Sequence, residues 1–272
     1  MLMQTQSFFK KSLANNILHG LELGEFSAYY QPKMDMVSKK INSLEALARW
    51  HSPGIGWVSP SEFIPIAEST GAIVELGEWI LFSACEQTRH WQKNGFPELS
   101  VSVNLSPRQL EEGNIIARVE DILVKTELEP QFLEFEITES VFIKDSSKAL
   151  GVLKELRKLG LRLAIDDFGT GYSSVGYLTA FPFDSLKIDQ SFARTIHLPQ
   201  TQIVIRAMTN LARQLGLITV LEGIENEMEM VLAGHLGCDQ VQGYAVGRPK
   251  PAITLSMTGF RVESGQPGST GQ

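Results

Sequence analysis

LAIDDFGTGYSS, residues 163–174, decides how this sequence is read. Leu163, Ala164 and Ile165 make an apolar run of the kind buried in a parallel sheet. Asp166 and Asp167 follow at once, and then Gly169 and Gly171. Adjacent carboxylates repel, and taking them out of water is costly unless positive charge lies between them. Taken alone, the pair fits a solvated strand end as well as a metal site. The choice depends on which other strand ends lie beside it.

The flanking sequence repeats a strand-then-helix rhythm. LSVSVNLS precedes a helical stretch, PRQLEEGNIIARVEDILVK, and FLEFEITES precedes SSKALGVLKELRKLG. RLAIDDFG leads to SSVGYLTAF, SLKIDQSF to PQTQIVIRAMTNLARQLG, and ITVLEG to NEMEMVLAGHLG, with DQVQGYAV as the last strand. Short links between such units predict a parallel sheet. Upstream, FSAYYQPKMDM and INSLEALARW flank a polar turn at Val37 to Lys40 and predict a hairpin. SEFIPIAEST and IVELGEWILFSACEQTRHWQKNG read as helical. An opening helix is expected from Thr5 to Leu23. Residues 1–20 then lead into one domain over 21–256, and 257–272, polar and rich in Gly and Ser, form a disordered tail.

A flat doubly wound sheet buries both faces, so its strands are apolar throughout. These strands alternate instead. Leu133, Phe135 and Ile137 oppose Glu134, Glu136 and Thr138; Val101, Val103 and Leu105 oppose Ser100, Ser102 and Asn104; Leu186 and Ile188 oppose Ser185, Lys187 and Asp189. Gln240, Gln242 and Tyr244 share a face. One side of each strand suits helices, and the polar sides converge in one place only if the sheet closes. The expected fold class is therefore α/β, a closed barrel with a polar interior near one rim, and the hairpin suggests that one strand runs antiparallel to the others.

The bulk numbers agree. The chain has 272 residues, 43% hydrophobic and 20% charged, and such a barrel uses about 250 residues. A net charge of −7 gives no general attraction for DNA or an anionic membrane. Cys85 and Cys238 lack metal-type spacing and fit a reduced, cytoplasmic protein. No stretch approaches a membrane span, and the N-terminus lacks a signal peptide's apolar core. Trp50, Trp79 and Trp91 are expected in the core.

In a parallel barrel, chemistry sits at the C-terminal strand ends. Glu45, Asn104, Glu136, Asp166, Asp167, Lys187, Glu222 and Gln242 all fall there. The five histidines are scattered off this pattern. Oxygen ligands without histidine favour Mg²⁺ or Mn²⁺ over zinc. Two consecutive aspartates can serve two ions about 3.5–4 Å apart, the spacing of in-line displacement at phosphorus.

The ordered set of motifs resembles the EAL family of cyclic-di-GMP phosphodiesterases. Its signature stands as Glu45-Ala46-Leu47, and YYQP (29–32), FIPIAE (63–68), NLS (104–106), EITES (136–140), DDFGTGYSS (166–174), KID (187–189), EGIE (222–225) and QGY (242–244) follow the family order from about Leu21 to Pro251. The resemblance implies a modified TIM (β/α)8 barrel with an antiparallel first strand and one or two Mg²⁺ or Mn²⁺ ions on Glu45, Asn104, Glu136, Asp166 and Asp167. It implies that Lys187 and Glu222 act on the attacking water and that Gln31, Arg49 and Gln242 help hold substrate or the metal-bound water; Asp189, in the KID motif, is expected to bind substrate as well. Glu139 would anchor the loop after Asp167. The implied reaction opens cyclic di-GMP to linear pGpG. A homodimer and a regulatory domain upstream are expected. Leu221 and Ile224 replace the family's usual alanine and valine beside Glu222.

Other roles compete for several of these residues. Glu45 and Arg49 share a strand face and could form an ion pair. Glu222 could cap a helix, and Glu225 fits a helix start as well as a site. Asp167-Phe168-Gly169 matches the kinase magnesium triplet, but neither a Gly-rich loop nor a His-Arg-Asp triplet accompanies it. A catalytically silent cyclic-di-GMP receptor would be expected to lack a metal ligand or the lysine, and none is missing. A glycosidase with paired carboxylates leaves Lys187 and Asn104 unexplained.

Overall fold

The structure, a computed structural model, describes residues 16–139, 141, 146–170 and 175–255. Gly171, all of the expected tail and the start of the opening helix lie outside these residues. A helix over residues 16–22 leads into β1 (Phe26–Asp35), and β2 (Ile41–Ser52) returns antiparallel to it. Asp35 closes the turn between them, its Oδ1 accepting from the backbone N–H groups of Val37 at 3.2 Å and Ser38 at 2.6 Å.

The barrel follows from the alternation. β4 (Ser100–Asn104), β5 (Leu133–Thr138), β6 (Arg162–Phe168), β7 (Ser185–Ile188), β8 (Ile218–Leu221) and β9 (Gln240–Gln242) run parallel to β2. β1 closes the ring by pairing antiparallel with both β2 and β9. Two short strands that the sequence does not announce flank the ring: β3 (Gly56–Val58) on β2 and β10 (Lys250–Pro251) on β1.

Leu133, Phe135, Ile137, Leu163, Ile165, Leu186 and Ile188 face outward into a core shared with helices such as Ser146–Lys158, through Leu153 and Leu156. A second cluster joins Ile17, Phe26, Trp50, Val58 and Phe63 where the chain enters the barrel. There Phe26 and Trp50 stack at 5.2 Å and Trp50 Nε1 donates to Glu25 at 2.8 Å. Trp50 and Trp91 are buried and Trp79 is partly buried, as core residues. Cys85 and Cys238 are free and buried, and burial pushes both thiols up to about 12. No described helix is long and apolar enough to cross a membrane.

Three element boundaries depart from the sequence reading. The stretch after Pro107 divides into helices Pro107–Glu111 and Ile115–Thr126, because Gly113 takes a left-handed conformation between them. β7 stops at Ile188: the apparent alternation of SLKIDQSF breaks where Asp189 accepts from Ser191 N–H at 2.9 Å and caps the helix Gln190–Arg194. β9 ends at Gln242, since Gly243 turns the chain away against Ile224.

The helices press closely on the loop after β6. Gly169 has φ +100°, and a Cβ there would lie 2.7 Å from Phe192 and 2.9 Å from Met208. Gly169→Ala is therefore expected to lower stability by roughly 1–3 kcal/mol, read as the urea midpoint in EDTA. An unchanged midpoint would show that this loop is free to yield.

Candidate active site

The adjacent aspartates face one place because β6 is not regular. Strict alternation would send Asp166 and Asp167 to opposite faces. The register between β6 and β7 shifts between Ile165 and Phe168, and Asp167 adopts φ +55°. A bulge of this kind adds a residue to one strand and re-aims a side chain. Asp166 Oδ1 accepts from the Asp167 backbone N–H at 3.0 Å. As a result a carboxylate oxygen from each of Asp166, Asp167 and Glu222 lies within 4.8 Å of the others, an arrangement able to hold a metal ion.

Lys187 lies beneath this trio. Its ammonium, 1% exposed, is 2.9 Å from Asp166, 2.8 Å from Glu222 and 2.5 Å from Glu136. On the opposite side of Glu136 stands Lys33, which the sequence reading did not single out. Its Nζ is 2.6 Å from Glu136 Oε1 and 3.4 Å from Glu134. Ser185 Oγ donates to the other oxygen of Glu134 at 2.7 Å. The only cue to Lys33 is its spacing two residues from Gln31 on β1, which gives both side chains the same face.

Glu45 is held by amides and not by Arg49. Asn104 Nδ2 donates to Oε1 at 2.7 Å and Gln242 Nε2 to Oε2 at 2.6 Å. Gln31 joins through its Oε1, 3.3 Å from the same Gln242 nitrogen, while its own Nε2 reaches Gly247 O. Gln242 Oε1 is buried without a protein hydrogen bond. Arg49 donates to Ala48 O and lies over the Tyr29 ring at 5.6 Å. Glu222 sits in the ion-pair cluster and does not cap a helix. The cap before Glu227–His235 is Asn226, so Glu225 is not the cap and instead lines a cavity beside Glu222. Glu139 follows directly after β5, but part of the loop it would anchor lies outside the described residues. Leu221 is buried in the barrel–helix core.

Two cavities open near the rim. One, about 310 Å³, is lined by Arg49, Glu68, Asn104, Glu136 and Thr138. The other, about 320 Å³, is lined by Gln31, Glu45, Arg194, Glu222, Glu225 and Tyr244. Leu47 borders both.

The electrostatics describe a site short of positive charge. Glu45, Glu134, Glu136, Asp166, Asp167 and Glu222 surround only two buried ammonium groups, Lys33 and Lys187. Burial pulls both lysines down, but Glu136 and Glu134 raise Lys33, and Asp166, Glu136 and Glu222 raise Lys187, so both stay charged. Burial works to raise Glu136, yet Lys187 and Lys33 hold it well below the usual carboxylate range. For Glu45, Asp167 and Glu222 the lysines do not offset burial. Burial and Glu136 raise Glu45; burial and Asp166 raise Asp167. Burial lifts Glu222 from 4.5 to about 8, Lys187 opposing and Asp166 adding to the rise. With every acid ionised the cluster carries four excess negative charges, the charge of two divalent cations. The oxygen donors, together with the unpaired Gln242 oxygen, fit hard cations of the Mg²⁺ and Mn²⁺ kind.

Fold and site together define an α/β barrel whose C-terminal rim gathers carboxylates for cations and a buried lysine among them. The EAL domain family profile matches residues 14–249, and the chain belongs to the EAL domain family. It is 38% identical over 244 residues to the bifunctional diguanylate cyclase/cyclic di-GMP phosphodiesterase MucR of Pseudomonas aeruginosa, covering 89% of this chain and 36% of that protein. It is 37% identical over 244 residues to the cyclic di-GMP phosphodiesterase PdeR of Escherichia coli, covering 89% and 37%. The chain thus spans little more than a third of these relatives. Among solved structures, the PaMucR phosphodiesterase in complex with c-di-GMP superposes with a TM-score of 0.84 at 38% identity, covering 89% of this chain and 98% of that one. The EAL enzyme Bd1971, in its cAMP- and cyclic-di-GMP-bound form, gives 0.86 at 33%, covering 91% and 68%.

The raised acids give stability a definite dependence on pH. Between 4.5 and about 8 the unfolded chain releases the Glu222 proton while the folded chain keeps it. Stability therefore falls as pH rises through that window, and Glu45 and Asp167 act in the same sense. Lys33, Lys187 and Glu136 keep constant charge throughout. In EDTA, the melting temperature is expected to drop from pH 5 to pH 8, and to drop less in Glu222→Gln. Mn²⁺ should remove most of the drop by binding only the folded state. Equal slopes for the two proteins would contradict the placement of Glu222.

Proposed function

We propose that this domain hydrolyses one phosphodiester of cyclic di-GMP, giving linear pGpG, with one or two Mg²⁺ or Mn²⁺ ions. The observation that carries the reading is the convergence of Asp166, Asp167 and Glu222 around Lys187. The relatives named as cyclic di-GMP phosphodiesterases support the substrate class.

In this reading Asp166, Asp167, Glu45, Asn104 and Glu136 supply the oxygens that would hold the ions. Such ions neutralise phosphate charge and make a water acidic near neutral pH. The protein's own groups do the rest. Glu222, with its proton affinity raised into the neutral range, takes a proton from the attacking water. Lys187 hydrogen-bonds that base, orients the water and faces the charge that develops at phosphorus. The water oxygen attacks in line, the bond from phosphorus to the 3′ oxygen breaks, and that oxygen takes up a proton from solvent to become the 3′-hydroxyl. Arg49 offers a planar fork to a phosphate from the wall of one cavity. The two cavities that meet at Leu47 take the two nucleotide halves, with Gln31 and Gln242 lining the second. Asp189, whose side chain also caps a helix, borders the site from β7. Glu139 anchors the loop after Asp167. A homodimer, a regulatory domain upstream and a cytoplasmic setting complete the proposal, and the greater length of the relatives supports further domains.

The test is chromatography of cyclic di-GMP incubated with the protein and Mg²⁺ or Mn²⁺. Linear pGpG is expected, and it should vanish in EDTA and in Glu45→Ala. Lys187→Met should lower kcat by about 10²–10³-fold, the scale of losing one group that stabilises transition-state charge. Intact nucleotide that still binds would make the domain a receptor, and the absence of both cleavage and binding would overturn the substrate assignment.

A further inference from the structure

Lys33 and Lys187 are the fully buried lysines among the described residues. The reaction proposed above uses only Lys187. Lys33 comes from β1, which descends from the rim while its neighbours climb toward it. Gln31 is level with Glu45, and Lys33 is level with Ser43, one inward position deeper, or about 7 Å at the rise of a strand. From there its stem carries the ammonium to Glu136. An apolar or amide side chain at this position would avoid the desolvation cost of a buried charge.

The contacts show what the charge does. Glu136 gives Oε1 to Lys33 at 2.6 Å and Oε2 to Lys187 at 2.5 Å. Lys187 has three ammonium protons and three acids around it, Glu136, Asp166 and Glu222. Its position is therefore a balance between Glu136 below and the two rim acids above. Lys33 decides how strongly Glu136 pulls.

We infer that Lys33 is a positioning residue: it satisfies one oxygen of Glu136 so that Lys187 stays within reach of Glu222, and its charge limits how tightly the rim holds cations. The inference rests on reading the rim as a cation-dependent diesterase site. Without Lys33, Glu136 has Lys187 as its only ammonium partner and draws it down the barrel, so turnover falls. The same loss makes the cluster one charge more negative, so divalent ions bind more tightly. A residue that merely supported the fold would loosen the site, and both properties would weaken together.

The test compares Lys33→Met and Lys33→Arg with the parent protein. Melting temperature in EDTA, Mn²⁺ binding by calorimetry, and kcat and KM for cyclic di-GMP are measured on each. Lys33→Met is expected to bind Mn²⁺ roughly threefold or more tighter while kcat falls roughly tenfold, a modest share of a full buried-charge interaction. KM should change little, and Lys33→Arg should recover most of kcat. Parent-like kcat in Lys33→Met, or weaker Mn²⁺ binding with a parallel loss of kcat, would overturn the inference. If the parent protein does not cleave, the diesterase reading fails and calorimetry decides alone. Tighter Mn²⁺ binding then supports the charge-limiting role, and equal or weaker binding overturns it. If Lys33→Met does not fold, Lys33→Gln undergoes the same titration with the same outcomes.

Discussion

Mutual repulsion among carboxylates is the constraint that organises this barrel. Water normally screens such groups, but here the barrel wall excludes most of it. The response is a line of alternating charge. Glu222 and Asp166 meet Lys187, Lys187 meets Glu136, Glu136 meets Lys33, and Lys33 meets Glu134. Glu134 in turn borders a cavity of about 480 Å³ with Ser185 and Asp184. Each buried charge is acceptable only because its neighbours are present, so the line behaves as one unit. Glu45, Asp167 and Glu222, for which the two lysines do not offset burial, hold their protons above the usual carboxylate range. The shortage of positive charge thus falls at the rim, where cations and a phosphate can reach it.

Much of this is legible in the sequence because a closed sheet leaves a distinctive pattern. Glu134 and Glu136 in FLEFEITES, or Ser100 and Ser102 in LSVSVNLS, would be misplaced in a flat parallel sheet. Inside a barrel they share a lumen. The direction of the strands then selects which end carries Glu45, Asn104, Asp166 and Glu222. The antiparallel hairpin is equally plain, because a four-residue polar turn separates two alternating segments.

What stays illegible has specific physical causes. Lys33 follows Gln31 on a strand that runs the other way, so a later residue lies deeper and not nearer the rim. A rule that looks for chemistry late in strands passes over it. The convergence of Asp166 and Asp167 depends on a left-handed backbone at an aspartate, which no local preference announces. Asp189 continues the alternation of Lys187 while its side chain closes a helix, so periodicity alone runs the strand too far. Gly113 interrupts a stretch whose apolar spacing suits one long helix. In each case a single backbone conformation overrules a side-chain pattern.

The reversed first strand also sets how the domain is wired to whatever precedes it. In a barrel whose strands all climb, the chain enters from the floor, and the lumen separates the entry from the chemistry. Here the helix over residues 16–22 hands the chain over at the upper edge, where Phe26 stacks on Trp50 and Glu25 receives the indole proton. Trp50 ends the same strand that carries Glu45 and Arg49. The entry thus meets β2 within a few residues of Glu45 and the rim carboxylates. The chain's entry and the carboxylate rim lie on one edge of the barrel.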